Sequence, residues 1–196
     1  MTNSEKHPDF AKPKTSYRKF RCYEKGVAIY DLTEAFVRKN LAVGDRTKDQ
    51  MLQAARSGKS NFVEGRTDAA VSIQMEISLY GTAIGSLEEL LNDYEDFMRT
   101  RQIPIWEKNH PRMLKLRETC SSHNDTKYYM SLSERLNLEE FCNMMLTLIH
   151  QNLVMLKKMQ GYAKQDFLTQ GGIKEQMYRA RTAYRQSQGG YPPKDS

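Results

Sequence analysis

The stretch from Ser72 to Arg101 constrains the fold most, because its apolar residues recur at alternating steps of four and three. On a helix this spacing places the side chains in one stripe that other helices must cover. A second apolar line makes the stripe wider than a two-stranded seam, which predicts a helix packed in an all-α bundle. The first line is Ile73, Ile77, Tyr80, Ile84, Leu87, Leu91, Tyr94 and Met98, and the second is Met75, Leu79, Ala83, Leu90 and Phe97.

Two amphipathic segments precede this helix. The first is helical from Tyr17 to about Asn40. The second opens at Asp45 or at Thr47, where a glutamine three residues later completes a capping-box pattern. Gly65 predicts its end. Its buried stripe, at steps of four, three and four, consists of Met51, Ala55, Gly58 and Phe62.

The apolar plug Ile103–Trp106 follows the central helix, and Pro104 prevents the helix from continuing through it. We expect Trp106 to anchor the end of the bundle. Residues 107–132 predict a long connection with a short helical piece after Pro111, the kind of segment where specific contacts concentrate.

A last long helix begins near Ser133 or Asn137 and runs to about Thr169. Only Asn137, with Glu140 three residues later, forms a capping box. Asn152 lies within the apolar stripe of this helix and needs a hydrogen-bond partner there. The bundle is therefore predicted over residues 17–170.

The two ends of the chain are basic. Residues 1–25 carry a net charge of +4 and residues 171–196 carry +3, whereas the 145 residues between them carry −1. Residues 1–16 predict a flexible arm, 171–186 a basic amphipathic suffix helix and 187–196 a disordered tail. Such ends can reach an anionic partner such as nucleic acid, or can serve solubility alone.

A cytoplasmic location without membrane contact is expected. The first thirty residues lack the apolar core of a secretory signal, and no apolar run approaches the roughly 20 residues of a membrane span. The three cysteines are widely spaced and form no CxxC pair, which favours a reducing compartment.

Two sets of cations are candidate nucleic-acid contacts. The second helix aligns basic residues beside its apolar stripe; they could bind phosphates, pair with acidic residues or be solvated. In the suffix, tyrosines among arginines could stack on bases, or could pin the tail onto the bundle. The candidates are Lys48, Arg56, Lys59 and Arg66 in the second helix, and Arg179, Arg181 and Arg185 in the suffix.

The outer face of the central helix is acidic, and Glu88, Glu89 and Asp93 are candidates for an oligomer interface. A di-iron bundle site needs Glu-x-x-His pairs. Thr147 stands three residues before His150, so no metal site or cofactor is predicted. No GxSxG, Walker A or HExxH motif and no nuclease-like cluster of His and Asp occurs either, and we expect no enzymatic activity.

Several stretches together resemble a known family. These are GDRTKDQMLQAARSGKSNFVEG, GSLEELLNDYEDFMR with IPIW, and NMMLTLIHQNLVMLKKM with FLTQGGIKEQMYRARTAYR. They are similar to bacterial four-helix bundle proteins encoded in intervening sequences of 23S ribosomal RNA, which are related to the accessory variability determinants of diversity-generating retroelements. The stretches NMMLTLIHQNLVMLKKM and FLTQGGIKEQMYRARTAYR resemble the subgroup with a four-helix bundle suffix. The likeness covers roughly residues 25–186.

The resemblance implies an up-down-up-down four-helix bundle that assembles as a homopentamer. It also implies a basic surface for RNA or DNA and a reverse transcriptase as a possible partner. The sequence hypothesis is therefore a non-catalytic, oligomeric nucleic-acid-binding accessory. The alternative is a homo-oligomeric scaffold without nucleic acid, in which the acidic face of the central helix meets the basic strip of the second helix.

Overall fold

The computed structural model describes residues 16–68 and 72–187, and this part of the chain is helical without any strand. None of its helices is long and apolar enough to cross a membrane. After a short 3-10 helix at Tyr17–Lys19, the helices are α1 (Arg21–Asn40), α2 (Arg46–Asp68), α3 (Ile73–Thr100), α4 (Pro111–Ser122), α5 (Thr126–Ser133), α6 (Leu138–Gln170) and α7 (Ile173–Ser187).

The four long helices enclose the core. α1 and α3 each pack against both α2 and α6. The Phe36 ring of α1 lies at the centre, 4.9 Å from the ring of Tyr94, 4.8 Å from that of Phe97 and 5.7 Å from that of Phe141. The Tyr94 hydroxyl donates to Thr33 Oγ1 at 3.2 Å, which satisfies a buried polar group. The all-α prediction is therefore confirmed.

Capping residues set the starts of α3 and α6, and the capping box of α6 is the predicted one. Ser72 accepts a hydrogen bond from the Met75 amide at the start of α3. Asn137 and Glu140 form a reciprocal capping box at the start of α6. α6 ends before Gly171, whose φ of 74° lies in a region that favours glycine.

The predicted end of α2 at Gly65 is wrong, because the helix continues to Asp68. A Cβ at Gly65 would lie 3.0 Å from Tyr80 Cε1, and one at Gly58 would lie 2.8 Å from Leu87 Cδ2. These glycines let α2 and α3 approach closely. Gly65 therefore allows close packing between the two helices and does not end α2. The residues next to it in the sequence do not predict that role.

The structure confirms Asp45, the first of the two predicted starts of α2, since the helix begins at Arg46. Asp45 Oδ1 accepts a hydrogen bond from the Thr47 amide at 2.9 Å, so Thr47 lies inside the helix and does not cap it with Gln50. In α3, Met75 is 50% exposed although it belongs to the predicted second apolar line. The Met75 end of that line is exposed, whereas Ala83, Leu90 and Phe97 are buried.

The segment between α3 and α6 is more helical than predicted, since it contains α4 and α5. Trp106 anchors its beginning as expected: its amide donates to Asn143 Oδ1 at 2.9 Å and its indole nitrogen donates to Glu139 Oε1 at 2.6 Å. Of the predicted arm and tail, residues 1–15 and 188–196 lie outside the described residues.

Candidate nucleic-acid interface

Helix α7 has no buried residue. Two hydrogen bonds hold its first turn to the glycine break, one from Gln176 Nε2 to the Gly171 carbonyl and one from the Gly172 amide to Glu175 Oε2, both at 3.1 Å. Arg179 donates to the Gln170 carbonyl at 3.3 Å, which satisfies an acceptor at the end of α6. Most of the helix is exposed to solvent, and Ile173 and Ala180 are only partly buried.

Two adjacent faces of α7 carry different chemistry. Lys174, Tyr178, Arg181 and Arg185 recur at steps of four, three and four, so they share one face. The residues directly before them share the neighbouring face, which is mainly apolar. Tyr178 is 73% exposed and Tyr184 is 46% exposed. The apolar face consists of Ile173, Met177, Ala180 and Tyr184.

The last four turns of α6 extend this chemistry. Lys157, Lys158 and Lys164 are exposed, as is Tyr162. Residues 157–187 hold seven cations against two carboxylates. We call their exposed cationic and aromatic side chains the C-terminal basic surface. Sequence reasoning missed the α6 lysines, although this local charge excess could have been counted.

Arg66 of α2 is engaged within the protein. Its Nη1 lies 3.2 Å from Glu76 Oε1, and the two side chains are 10% and 3% exposed. The Tyr80 hydroxyl donates to the same carboxylate oxygen at 2.9 Å, and the Arg66 guanidinium lies 4.7 Å from the Phe20 ring centroid. This cation joins α2 to α3 and has little exposure left for a phosphate.

The other predicted contacts of α2 differ in exposure. Lys59 Nζ lies 4.3 Å from the Tyr30 ring centroid, so this side chain lies against α1. Lys48 is half-buried and Arg56 is exposed. The structure therefore does not bring the α2 cations together as one open strip.

An acidic groove lies between α2 and α3, with a cavity volume of about 610 Å³. Burial raises the pKa of Asp93, and the neighbouring Asp96 and Glu89 raise it further. Glu88 accepts a hydrogen bond from Lys157 at 2.8 Å, so this predicted interface residue joins α3 to α6. The groove is lined by Asp49, Gln50, Gln53, Ala54, Ser57, Ser86, Glu89 and Asp93.

Small hydroxyl residues form the floor of this acidic groove. Ser86 Oγ donates to Ser57 Oγ at 2.9 Å, and Asn61 Nδ2 donates to the same hydroxyl at 2.9 Å. The Ser86–Ser57 hydrogen bond joins α3 to α2, whereas the bond from Asn61 lies within α2. Ser57 and Ser86 belong to two of the stretches that carry the resemblance, and these stretches therefore pack against each other here.

Lys25 is a buried cation, 2% exposed, that links three helices. Its Nζ donates to the Cys120 carbonyl of α4 and to Gln151 Oε1 of α6. Burial lowers the Lys25 pKa to about 8; a Coulombic interaction with Cys120 opposes the shift, and Arg21 adds to it. The acceptor at the end of α4 satisfies the ammonium, as expected for a cation at a helix C-terminus.

A larger groove of about 730 Å³ lies where α3, α4 and α6 meet the apolar plug. Trp106, Met113 and Leu146 contribute apolar surface, while His150 is exposed at its edge. Other charged residues of both signs line the groove, namely Glu95, Lys108, Arg117 and Glu118. Among the residues with described positions, no group of His, Cys, Asp or Glu could hold a metal ion.

Comparisons of the chain with models of protein families, with curated proteins and with solved structures found no match. The candidate interface consequently rests on the exposure, charge and geometry of the residues themselves.

Proposed function

We propose that this chain is a non-catalytic, oligomeric nucleic-acid-binding accessory protein that uses the C-terminal basic surface to bind unpaired nucleotides. The observation that carries the proposal is the exposure of α7, a helix without a buried residue, one face of which holds three cations and a tyrosine. A helix that only stabilised the bundle would bury its apolar face against it.

Unpaired bases suit this surface better than a duplex. Tyr162 and Tyr178 are 65% and 73% exposed. A base can stack on such a ring only if its own face is free, and each stacked base contributes about 1–3 kcal/mol. Lys174, Arg181 and Arg185 supply cations beside Tyr178 for the neighbouring phosphates.

The proposed architecture is an up-down-up-down four-helix bundle built from α1, α2, α3 and α6. Contacts between successive helices support antiparallel neighbours: Ser57 meets Ser86, whereas Arg66, further along α2, meets the earlier Glu76. α6 likewise runs back along α3, since Lys157 meets Glu88 whereas the later Gln160 donates to the carbonyl of the earlier Ile77 at 3.1 Å.

The family likeness adds three elements to the proposal: a homopentamer, RNA or DNA as ligand, and a reverse transcriptase as possible partner. Each can be tested separately from the surface itself. Light scattering gives the number of subunits, and co-purification with a polymerase and its template RNA tests the partner.

The first experiment measures the binding of a fluorescein-labelled single-stranded RNA to wild type and to Tyr178→Ala. Loss of one stacking interaction should weaken binding about fivefold or more. Leu114→Ala is the matched control, because Leu114 is 53% exposed on α4, outside the C-terminal basic surface. Equal affinities of the Tyr178 variant and wild type, or tighter binding to duplex than to single strand, would contradict the proposal.

The second candidate function is a homo-oligomeric protein scaffold without nucleic acid. The acidic groove with Glu89 and Asp93 favours it, since like charges in a half-buried groove are stabilised by a cationic partner. A stable oligomer that does not retain RNA or DNA at micromolar protein and low salt would select this candidate over the first.

A further inference from the structure

We propose that α7 of one copy docks into the acidic groove of a second copy, and that nucleic acid displaces it. The docking rests on charge and geometry alone, whereas the displacement rests also on the proposed function. Self-association through α7 would then regulate the nucleic-acid surface.

The first argument is that α7 presents an unpartnered amphipathic helix. Met177 is 53% exposed and Tyr184 is 46% exposed, although both belong to its apolar face. Arg181 and Arg185 lie on the adjacent face. A partner for this helix must therefore offer both packing surface and carboxylates.

The second argument is charge complementarity. The acidic groove includes Asp49, Glu89 and Asp93. The pKa of Asp93 is raised by burial and by the carboxylates of Asp96 and Glu89, so a cation placed here would relieve repulsion. α7 brings four cations and one carboxylate.

The α2 cations are poor partners for the acidic groove of a second copy. This differs from the scaffold hypothesis from sequence, in which the basic strip of α2 meets the acidic face of α3. Arg66 is committed to Glu76, and Lys59 lies over the Tyr30 ring. Moving Arg66 into a second copy would leave the Glu76 carboxylate buried without this cation, which is strongly unfavourable. Docking of α7 has no comparable cost, because its Arg181 and Arg185 are exposed.

The third argument is reach, which assigns the groove to a second copy. Gln160 of α6 is level with Ile77 of α3, and α6 then runs past the start of α3. At about 1.5 Å per residue, the end of α6 lies about 33–39 Å along the bundle from the level of Glu89 and Asp93. α7 has 15 residues and spans only about 22 Å. Its own arginines therefore cannot reach those carboxylates.

The larger groove beside Trp106 is a weaker candidate for the same helix. Its charged residues include Lys108 and Arg117 as well as Glu95 and Glu118. Cations in α7 would meet repulsion as well as attraction there. The acidic groove carries carboxylates without a lysine or arginine in its lining.

Displacement follows from shared residues. Arg181 and Arg185 cannot contact phosphates and the carboxylates of a second copy at the same time. Nucleic acid and self-association should thus be mutually exclusive at α7. Adding single-stranded RNA should shift sedimentation toward smaller protein assemblies bound to RNA.

The test is sedimentation velocity of the full chain at low salt. Glu89→Gln with Asp93→Asn removes the groove charges, and Arg181→Gln with Arg185→Gln removes those of α7. Each pair should weaken self-association about tenfold or more, because such contacts across an interface are electrostatic. The control for the groove pair, Glu64→Gln with Glu118→Gln, changes net charge by the same amount at exposed positions outside the acidic groove.

A charge-swapped chain keeps the test decisive. Glu89→Lys and Asp93→Lys combined with Arg181→Glu and Arg185→Glu should self-associate again, although each half alone does not. Circular dichroism confirms that every variant folds. A monomeric wild type, equal effects of groove and control variants, or failure of the swapped chain to associate would each overturn the docking.

RNA binding by the groove variant separates the two proposals. Glu89→Gln with Asp93→Asn should bind single-stranded RNA at least as tightly as wild type, because its α7 is free. If the wild type self-associates as described but does not bind RNA, the docking stands and the proposed function fails. If RNA binds but leaves the assembly intact, displacement is refuted.

Discussion

Arg66→Met isolates the buried ion pair between α2 and α3. Methionine retains a flexible apolar stem of similar length but removes the cation beside Glu76. The carboxylate would then remain almost fully buried, with the Tyr80 hydroxyl still donating to it at 2.9 Å. The substitution tests whether Arg66 stabilises the fold, which is the role its contacts indicate.

The expected destabilisation is large because both side chains are withdrawn from water, at 10% and 3% exposure. Removing one partner of a buried pair destabilises a protein by about 3–5 kcal/mol. The substitution also removes the guanidinium that lies 4.7 Å from the Phe20 ring centroid. Replacing Glu76 with Gln in the same chain should recover part of the stability, with a coupling of about 1–3 kcal/mol.

Urea denaturation followed by circular dichroism measures these free energies of unfolding. Arg56→Met is the matched control, since Arg56 is exposed on the same helix, and its effect should stay within about 0.5 kcal/mol. The reasoning would be refuted if Arg66→Met and Arg56→Met gave the same small effect. It would also be refuted if the Glu76→Gln double variant were no more stable than Arg66→Met alone.

Three further predictions follow from glycine packing, a buried lysine and buried thiols. In urea titrations, Gly65→Ala should lower the free energy of unfolding by about 1–3 kcal/mol, because the new Cβ would lie 3.0 Å from Tyr80. Gly85→Ala should instead raise it by up to about 1 kcal/mol, because a Cβ at Gly85 would have no other atom within 4 Å. The Lys25 pKa is lowered from 10.5 to about 8 in the folded chain, so the folded state loses this proton at a lower pH than the unfolded state does. The stability of wild type relative to Lys25→Met should therefore rise between about pH 8 and 10.5. A constant difference in urea titrations across that range would contradict this prediction. Burial raises the thiol pKa of Cys22 and Cys142 to about 12 and that of Cys120 to about 11. Ellman's reagent at pH 8 should therefore label these thiols only as fast as the chain unfolds. Labelling within the mixing time would contradict the buried positions of the three cysteines.

Helix positions were the most predictable part of the fold. Heptad spacing and the capping box at Asn137 depend on residues close in sequence, and the structure confirms that capping box. Gly65 was misjudged because its role depends on Tyr80, a residue on another helix. Contacts between distant segments leave no local pattern, so they escape this kind of prediction.

The candidate site was only partly predictable for a related reason. Spacing placed Arg66 on a basic line, but its partner Glu76 and the Phe20 ring became evident only from the packed helices. Exposure of α7 was equally hidden, since its amphipathic pattern fits either docking on the bundle or freedom from it. The structure leaves the helix without a buried residue.

The salt dependence of RNA binding tests the central claim most directly. We would titrate labelled single-stranded RNA with wild type, with Arg181→Gln and Arg185→Gln together, and with Arg38→Gln and Lys39→Gln together as an exposed control pair on α1. The slope of log affinity against log salt should fall in magnitude by about 0.7 for each phosphate that the protein no longer neutralises, hence by about 1.4 for the α7 pair, and should stay unchanged for the control. Equal slopes for all three proteins, or no salt-sensitive binding by wild type, would contradict a nucleic-acid surface at the C-terminal end of this bundle.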